Sequence, residues 1–227
     1  MTEEKRAQQI LRILRREFSL PDLAIASRKP FSTLIRTVLS QATNDKNSRK
    51  AFRNLSEKSE ITPKALAEAD EKEIEKAIRI GGLYRNKSRV IKELSRVIVE
   101  KFDSTLDFIY SSSLEETRKL LMTLPGIGPK TADVVLLFSA NKSVLPVDTH
   151  VNRVSKRLGL VASNADYESI RLTLESLYSP KDYLDAHLLL IMLGRKYCKA
   201  RNPLHKSCPV NMLCPSAKLG DQNHGNN

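Results

Sequence analysis

Two charged residues and one cysteine block are the parts of this chain equipped for chemistry. Lys130 follows the segment Leu124-Pro-Gly-Ile-Gly-Pro129, which places it in the first turn of a predicted helix. The positive end of a helix disfavours a cation there. A neutral amine is a nucleophile able to form a Schiff base; a solvated lysine contacting phosphate suits the same position equally well. Asp148, in Val147-Asp-Thr-His150, precedes another predicted helix. It fits an N-cap and, compatibly, a carboxylate that stabilises developing positive charge or assists proton transfer. The chain is long enough for the two to meet. A helix over residues 130–140 spans roughly 16 Å at about 1.5 Å per residue. The following residues 141–147 return up to about 23 Å when extended. The three cysteines, Cys198, Cys208 and Cys214, all lie close to the C-terminus. An odd number gathered at one end of a basic chain is a poor disulfide framework and reads as a metal or cluster site.

The elements that must position these groups read as helices almost throughout, and the fold class expected is all-α. Ile10, Leu11, Ile13 and Leu14 form an apolar stripe in an N-terminal helix, and Phe31, Leu34, Ile35, Val38 and Leu39 form one behind Pro30. A third helix is expected near 46–56, then two short ones across 63–80 ended at Gly81-Gly82. A long one follows with Val90, Ile91, Leu94, Val97 and Ile98 inward. Two short helices fit Leu106 to Leu121, followed by helices at 129–139, 149–159, 165–178 and 181–198. The last stretch, GDQNHGNN, reads as unstructured. Between the helices ending and starting around 124–131, Gly126 and Gly128 permit positive φ and close backbone approach, and Pro129 suits a first helical turn. The resulting tight turn opens a helix whose free N–H groups suit a phosphate oxygen.

Composition narrows the partner. The chain has 38 Lys and Arg against 26 Asp and Glu, a net charge of +12, with a pI near 9.7. That excess favours a polyanion, nucleic acid above all. The 41% hydrophobic content supports a packed core. No run of eighteen apolar residues occurs, so no membrane span is expected. The start MTEEKRAQQILRIL lacks the features of a secretory signal, and a cytoplasmic, nucleoid-associated location is expected.

The pattern L-P-G-I-G-P-K-T-A-D-V-V resembles the helix-hairpin-helix of the endonuclease III family, and Val147-Asp-Thr-His-Val-Asn-Arg-Val154 matches that family at the expected distance downstream. Leu39-Ser-Gln-Ala-Thr43, Gly82-Leu-Tyr84 with Lys87, and Asp185 to Arg195 add further matches, so the resemblance runs from about residue 10 to residue 214. It implies a two-lobed, all-α DNA glycosylase with abasic-site lyase activity, acting as a monomer on duplex DNA that carries damaged bases or abasic sites. One lobe would span 27–137 and hold the hairpin at 124–131. The other would combine 1–26 with 138–227, ending in an unstructured tail at 219–227. The resemblance makes Lys130 the nucleophile and Asp148 the carboxylate required for chemistry. Gln41 would enter the base stack and Leu83 would be the apolar wedge that fills the gap when a nucleotide is flipped out. Gly126 and Gly128 would contact phosphate, and His150 and Arg153 would contact phosphate or buttress Asp148. Arg85, Lys87 and Arg89 fit phosphate contacts or a solvated basic face.

The family's iron–sulfur members space four cysteines C-x6-C-x2-C-x5-C, whereas this chain reads C-x6-H-x2-C-x5-C, with His205 at the second position. The resemblance therefore implies a four-iron four-sulfur cluster held by Cys198, His205, Cys208 and Cys214, with zinc as the alternative because three thiolates and an imidazole suit it too. The cluster would be structural, pinning a basic loop (Lys199, Arg201, Lys206) against DNA. Relatives that remove adenine opposite oxidised guanine usually lack a lysine at position 130, and thymine/uracil mismatch enzymes of the archaeal type commonly carry a tyrosine. Lys130 thus favours a bifunctional enzyme for oxidised pyrimidines. Two rivals stand beside it: a mismatch glycosylase of the same fold, and a non-catalytic DNA-binding module using the hairpin alone.

Overall fold

The computed structural model describes residues 1–20 and 29–222, with side chains as far as Lys218. The described residues form α-helices, short 3-10 turns and loops, with no strand. The α-helices are α1 (Glu3–Glu17), α2 (Pro30–Ser40), α3 (Asp45–Lys58), α4 (Pro63–Glu68), α5 (Glu71–Ile78), α6 (Tyr84–Lys101), α7 (Phe108–Ser111), α8 (Leu114–Met122), α9 (Pro129–Ala140), α10 (Thr149–Arg157), α11 (Tyr167–Leu177), α12 (Tyr183–Lys196) and α13 (Pro215–Gln222). The all-α expectation holds. None of these helices is long and apolar enough to cross a membrane. Helix α13 runs to Gln222, into the stretch expected to be unstructured, while 223–227 and the expected lobe boundary at 26–27 lie outside the described residues.

The chain divides into two compact units, Ala24–Lys142 and Met1–Leu23 with Ser143–Asn227. In the first, α2 packs on α3 and α9, and α6 packs on α4 and α5. The apolar stripe of α2 is buried in full: Phe31, Leu34, Ile35, Val38 and Leu39. On α6 the buried face consists of Lys87, Ser88, Ile91, Leu94, Ser95 and Ile98, whereas Val90 and Val97 are only half-buried. Burying six large aliphatic side chains contributes on the order of 10 kcal/mol before chain entropy is charged against it.

The second unit has its own core, in which Ile10, Leu11 and Leu14 of α1 meet Val151 and Val154 of α10 and Leu189, Leu190 and Leu193 of α12. Arg6 pins α1 to this core: Nη1 donates to Leu158 O (2.6 Å) and Leu213 O (2.9 Å), and Nη2 to Gly159 O (2.9 Å). Side-chain caps set several helix starts, among them Thr2 on α1, Asp70 on α5 and Ser113, which forms a reciprocal capping box with Glu116 on α8.

Candidate active site

The hairpin lies wholly within the unit Ala24–Lys142. Helix α8 ends at Met122, Leu124 N–H returns to Leu121 O, and Ile127 N–H closes the turn on Leu124 O (3.2 Å). Its two glycines are there for different reasons. Gly126 has φ +74°, and a Cβ added to it would overlap Val90 Cγ1 of α6; both backbone and packing require glycine. Gly128, the N-cap of α9, has φ −99° and ψ −179°, an extended conformation open to any residue. A Cβ there would meet nothing within 4 Å. Nothing inside the fold demands that glycine, and the start of α9 is left bare of side chain at the point where first-turn N–H groups lack intrahelical partners.

The two hairpin helices are locked together by a buried ion pair that the sequence reading missed. Arg118 Nε of α8 donates to Asp133 Oδ1 of α9 at 2.6 Å, with side-chain exposures of 7% and 0%. Lys130 is the second residue of α9, one turn before Asp133, and is half-buried. Its helix start is thus anchored on three sides: by Pro129, by the Gly126–Val90 contact and by the ion pair.

Two exposed side chains stand at loop ends of the same unit. Gln41 follows the last turn of α2 as its C-cap. Leu83 is 60% exposed and holds a left-handed backbone (φ +49°) immediately before α6. The left-handed region is costly for a leucine. Lys87 corrects the expectation of a phosphate contact. It is 3% exposed, and its Nζ donates to Leu39 O (3.0 Å) and Gly81 O (2.9 Å). Burial pulls its pKa down from the usual lysine range. Arg85 and Arg89, on the other face of α6, are exposed.

In the other unit Asp148 caps α10, with Oδ1 accepting from Val151 N–H at 2.7 Å. The side chain is half-buried. Arg153 faces inward along the same helix. Its Nε donates to Cys198 O (2.9 Å) and its Nη2 to Gly194 O (3.0 Å), with Nη2 also 3.1 Å from His150 Nδ1. One turn on, Arg157 donates to Lys199 O (2.6 Å), Ala200 O (3.1 Å) and, at 3.5 Å, Cys198 Sγ. Two successive turns of α10 therefore grip the backbone from Gly194 to Ala200, which buttresses the helix that begins at Asp148. Arg157 was not singled out from sequence; its spacing of four from Arg153 was the available signal.

Cys198, His205, Cys208 and Cys214 line one pocket together with apolar groups including Leu193 and Leu204. Among the described residues no three His, Cys, Asp or Glu side chains are arranged to hold a single ion. Burial raises the pKa of both Cys208 and Cys214.

An all-helical chain with a glycine hairpin, a lysine in the following helix turn and an aspartate-capped helix downstream defines a helix-hairpin-helix DNA repair protein. Residues 35–180 match the model of the HhH-GPD superfamily of base excision DNA repair proteins. The chain is 37% identical to an endonuclease III of Sulfolobus acidocaldarius, over 92% of this chain and 95% of that one. It is 39% identical to one of Thermotoga maritima, over 82% of each. A solved structure of a trapped endonuclease III–DNA covalent intermediate superposes with a TM-score of 0.84 at 33% identity, covering 97% of this chain and 100% of that one. The chain belongs to the endonuclease III family, as its motifs suggested, and is accordingly a base excision repair enzyme with glycosylase and abasic-site lyase activity.

Proposed function

We propose that this enzyme excises oxidised pyrimidines from duplex DNA and nicks abasic sites, with Lys130 as the nucleophile. The carrying observation is the setting of Lys130: a half-buried amine at the second residue of a helix whose start is fixed by Gly126, Pro129 and the Arg118–Asp133 pair. The similarity to an endonuclease III caught covalently on DNA supports an amine that bonds to its substrate.

A damaged nucleotide leaves the stack for a pocket. Lys130 Nζ forms a bond to C1′ as the glycosidic bond breaks, and the base departs with a proton. Loss of the amine proton and ring opening give the imine. Removal of a C2′ proton then sends electrons into the imine and breaks the bond from C3′ to the 3′ phosphate, by β-elimination. Only an amine can provide that electron sink. Asp148 supports the positive charge that develops on the deoxyribose or moves a proton. Gln41 enters the stack, Leu83 wedges the gap, and Gly126 and Gly128 bring the α9 N–H groups to a phosphate. His150 and Arg153 hold α10; Arg153 spends its guanidinium on Gly194 O and Cys198 O, which favours buttressing over direct phosphate contact.

Cys198, His205, Cys208 and Cys214 suit a four-iron four-sulfur cluster. Zinc draws four donors to one ion at about 2.0–2.3 Å, an arrangement not found among the described residues, whereas the spacing C-x6-H-x2-C-x5-C follows that of the family's cluster ligands. Arg157 Nη1 donates to Cys198 Sγ at 3.5 Å, a hydrogen bond that orients that sulfur. Once bound, the group would close the 198–214 loop, and the exposed Lys199, Arg201 and Lys206 would supply charge for the DNA backbone.

The test is nicking of duplexes carrying thymine glycol, an abasic site, uracil or a thymine–guanine mismatch, with borohydride trapping. Thymine glycol and the abasic site should be cut and trapped by the native enzyme, and Lys130→Ala should bind without trapping. Trapping of Lys130→Ala at the native level defeats the assignment, and processing of only uracil or the mismatch favours the mismatch-glycosylase reading.

A further inference from the structure

The buried Lys87 occupies a specific place between the two exposed side chains assigned to the gap in the duplex. Its Nζ donates to Leu39 O and Gly81 O. Gln41 stands two residues after the first acceptor, Leu83 two residues after the second, and Lys87 itself is one turn into the helix that Leu83 precedes. Both acceptors sit at helix ends: Leu39 in the last turn of α2, Gly81 at the close of the 3-10 turn Arg79–Gly81. Their carbonyls are the negative ends of helical peptide dipoles and lack intrahelical partners, so an ammonium is the group they accept best. Ala42 and Leu83 both adopt left-handed backbone with φ +49°, and Gln41 and Leu83 project from the surface.

We propose that Lys87 is a positioning residue for lesion recognition: one amine sets the spacing of the Gln41 and Leu83 fingers so that both enter the duplex in a single event. It touches neither DNA nor the reacting atoms. The proposal rests on the reading of Gln41 and Leu83 as the inserted pair. Filling a flipped-out gap needs both fingers in register, because a misplacement of about 1 Å can cost on the order of 100-fold in rate. A scaffold lysine held by one helix end alone would set one finger; shared acceptors couple them. A structural lysine could equally have been replaced by an apolar residue in the buried face of α6. The charge is retained at a cost in desolvation, and what it obtains is two loop ends on one atom.

The experiment compares Lys87→Met and Lys87→Arg with the native protein on an abasic site in duplex and in single-stranded DNA. A single strand has no gap and needs no fingers. The duplex-to-single-strand ratio of nicking rates should fall by about 10-fold or more in Lys87→Met, the scale set by losing hydrogen bonds to a charged group. Lys87→Arg, which keeps a cationic donor, should recover a large part of that ratio. Fluorescence of 2-aminopurine opposite the abasic site should rise less on binding to Lys87→Met, reporting incomplete insertion. A proportional loss on both substrates, or an unchanged ratio, overturns the proposal. If Lys87→Met does not fold, Lys87→Gln, uncharged and one bond shorter than the lysine that spans both carbonyls, serves in its place with the same expected ratio. Gln41→Ala and Leu83→Ala run alongside. If they lower the ratio and the Lys87 variants do not, the finger reading stands and the proposal is wrong; if they leave it unchanged, the finger reading fails and the proposal falls with it.

Discussion

Asp148 Oδ1 accepts the Val151 N–H at 2.7 Å, so the carboxylate assigned to catalysis also terminates a helix. The two roles separate by substitution. Asparagine caps as well as aspartate, so Asp148→Asn should shift folding stability by less than about 0.5 kcal/mol while base excision falls by about 100-fold or more, within the range for removing an acid–base group. Asp148→Ala should add about 1 kcal/mol of destabilisation from the lost cap. Thermal denaturation and single-turnover excision on the same preparations check both; equal activity in Asp148→Asn would leave the residue a cap only.

Gly126 and Gly128 should answer differently to alanine. Gly126→Ala meets both a left-handed φ and Val90, and should cost about 1–3 kcal/mol. Gly128→Ala meets open space in an extended backbone, so stability should stay level or rise by a few tenths of a kcal/mol. Its affinity for abasic duplex should nonetheless fall about 10-fold, because the methyl group stands where a phosphate would approach. Calorimetry and fluorescence anisotropy give the two readouts, and unchanged affinity in Gly128→Ala would remove the hairpin from the DNA contact.

The Arg118–Asp133 pair carries a third expectation. Asp133→Asn leaves a buried guanidinium short of its counter-charge and should cost about 3–5 kcal/mol, a fall in melting temperature of roughly 10 °C for a chain of this size. Replacing both residues by apolar ones of similar volume should restore most of that loss. A double variant as unstable as the single would mean that the charge pair itself stabilises the hairpin.

His205 gives a fourth. The purified protein should show the visible absorbance of an iron–sulfur cluster, which chelation under reducing conditions removes. His205→Cys should keep that absorbance and lower the reduction potential by on the order of 100 mV, since thiolate in place of imidazole adds negative charge. Stoichiometric zinc with no visible absorbance would replace the cluster assignment.

What sequence could and could not deliver follows from the range of the interactions. The helices of α2 and α6 were readable because their apolar residues repeat on one face. That same periodicity places Lys87 in line with Ile91, Leu94 and Ile98, so its burial is legible in the spacing even though lysine is usually a surface residue. Asp133 likewise falls on the buried side of α9 with Ala132 and Leu136. The acceptors were not legible: Cys198 O for Arg153, Lys199 O for Arg157 and Leu39 O for Lys87 are backbone atoms distant in sequence. A carbonyl carries no residue identity for a motif to record. The proposed finger residues come from the resemblance to the endonuclease III family, while the groups that brace their loops appear only once the chain is folded.

Leu83 holds a backbone conformation that costs a leucine about 1–2 kcal/mol and that glycine adopts freely. A redesign aimed at heat resistance alone would put glycine there and succeed by its own measure. It would also erase a side chain that contributes little to the core, and the loss would escape any assay that follows melting and ignores lesions. With Leu83 as the proposed wedge, position 83 is therefore where an engineered version of this enzyme should be left alone.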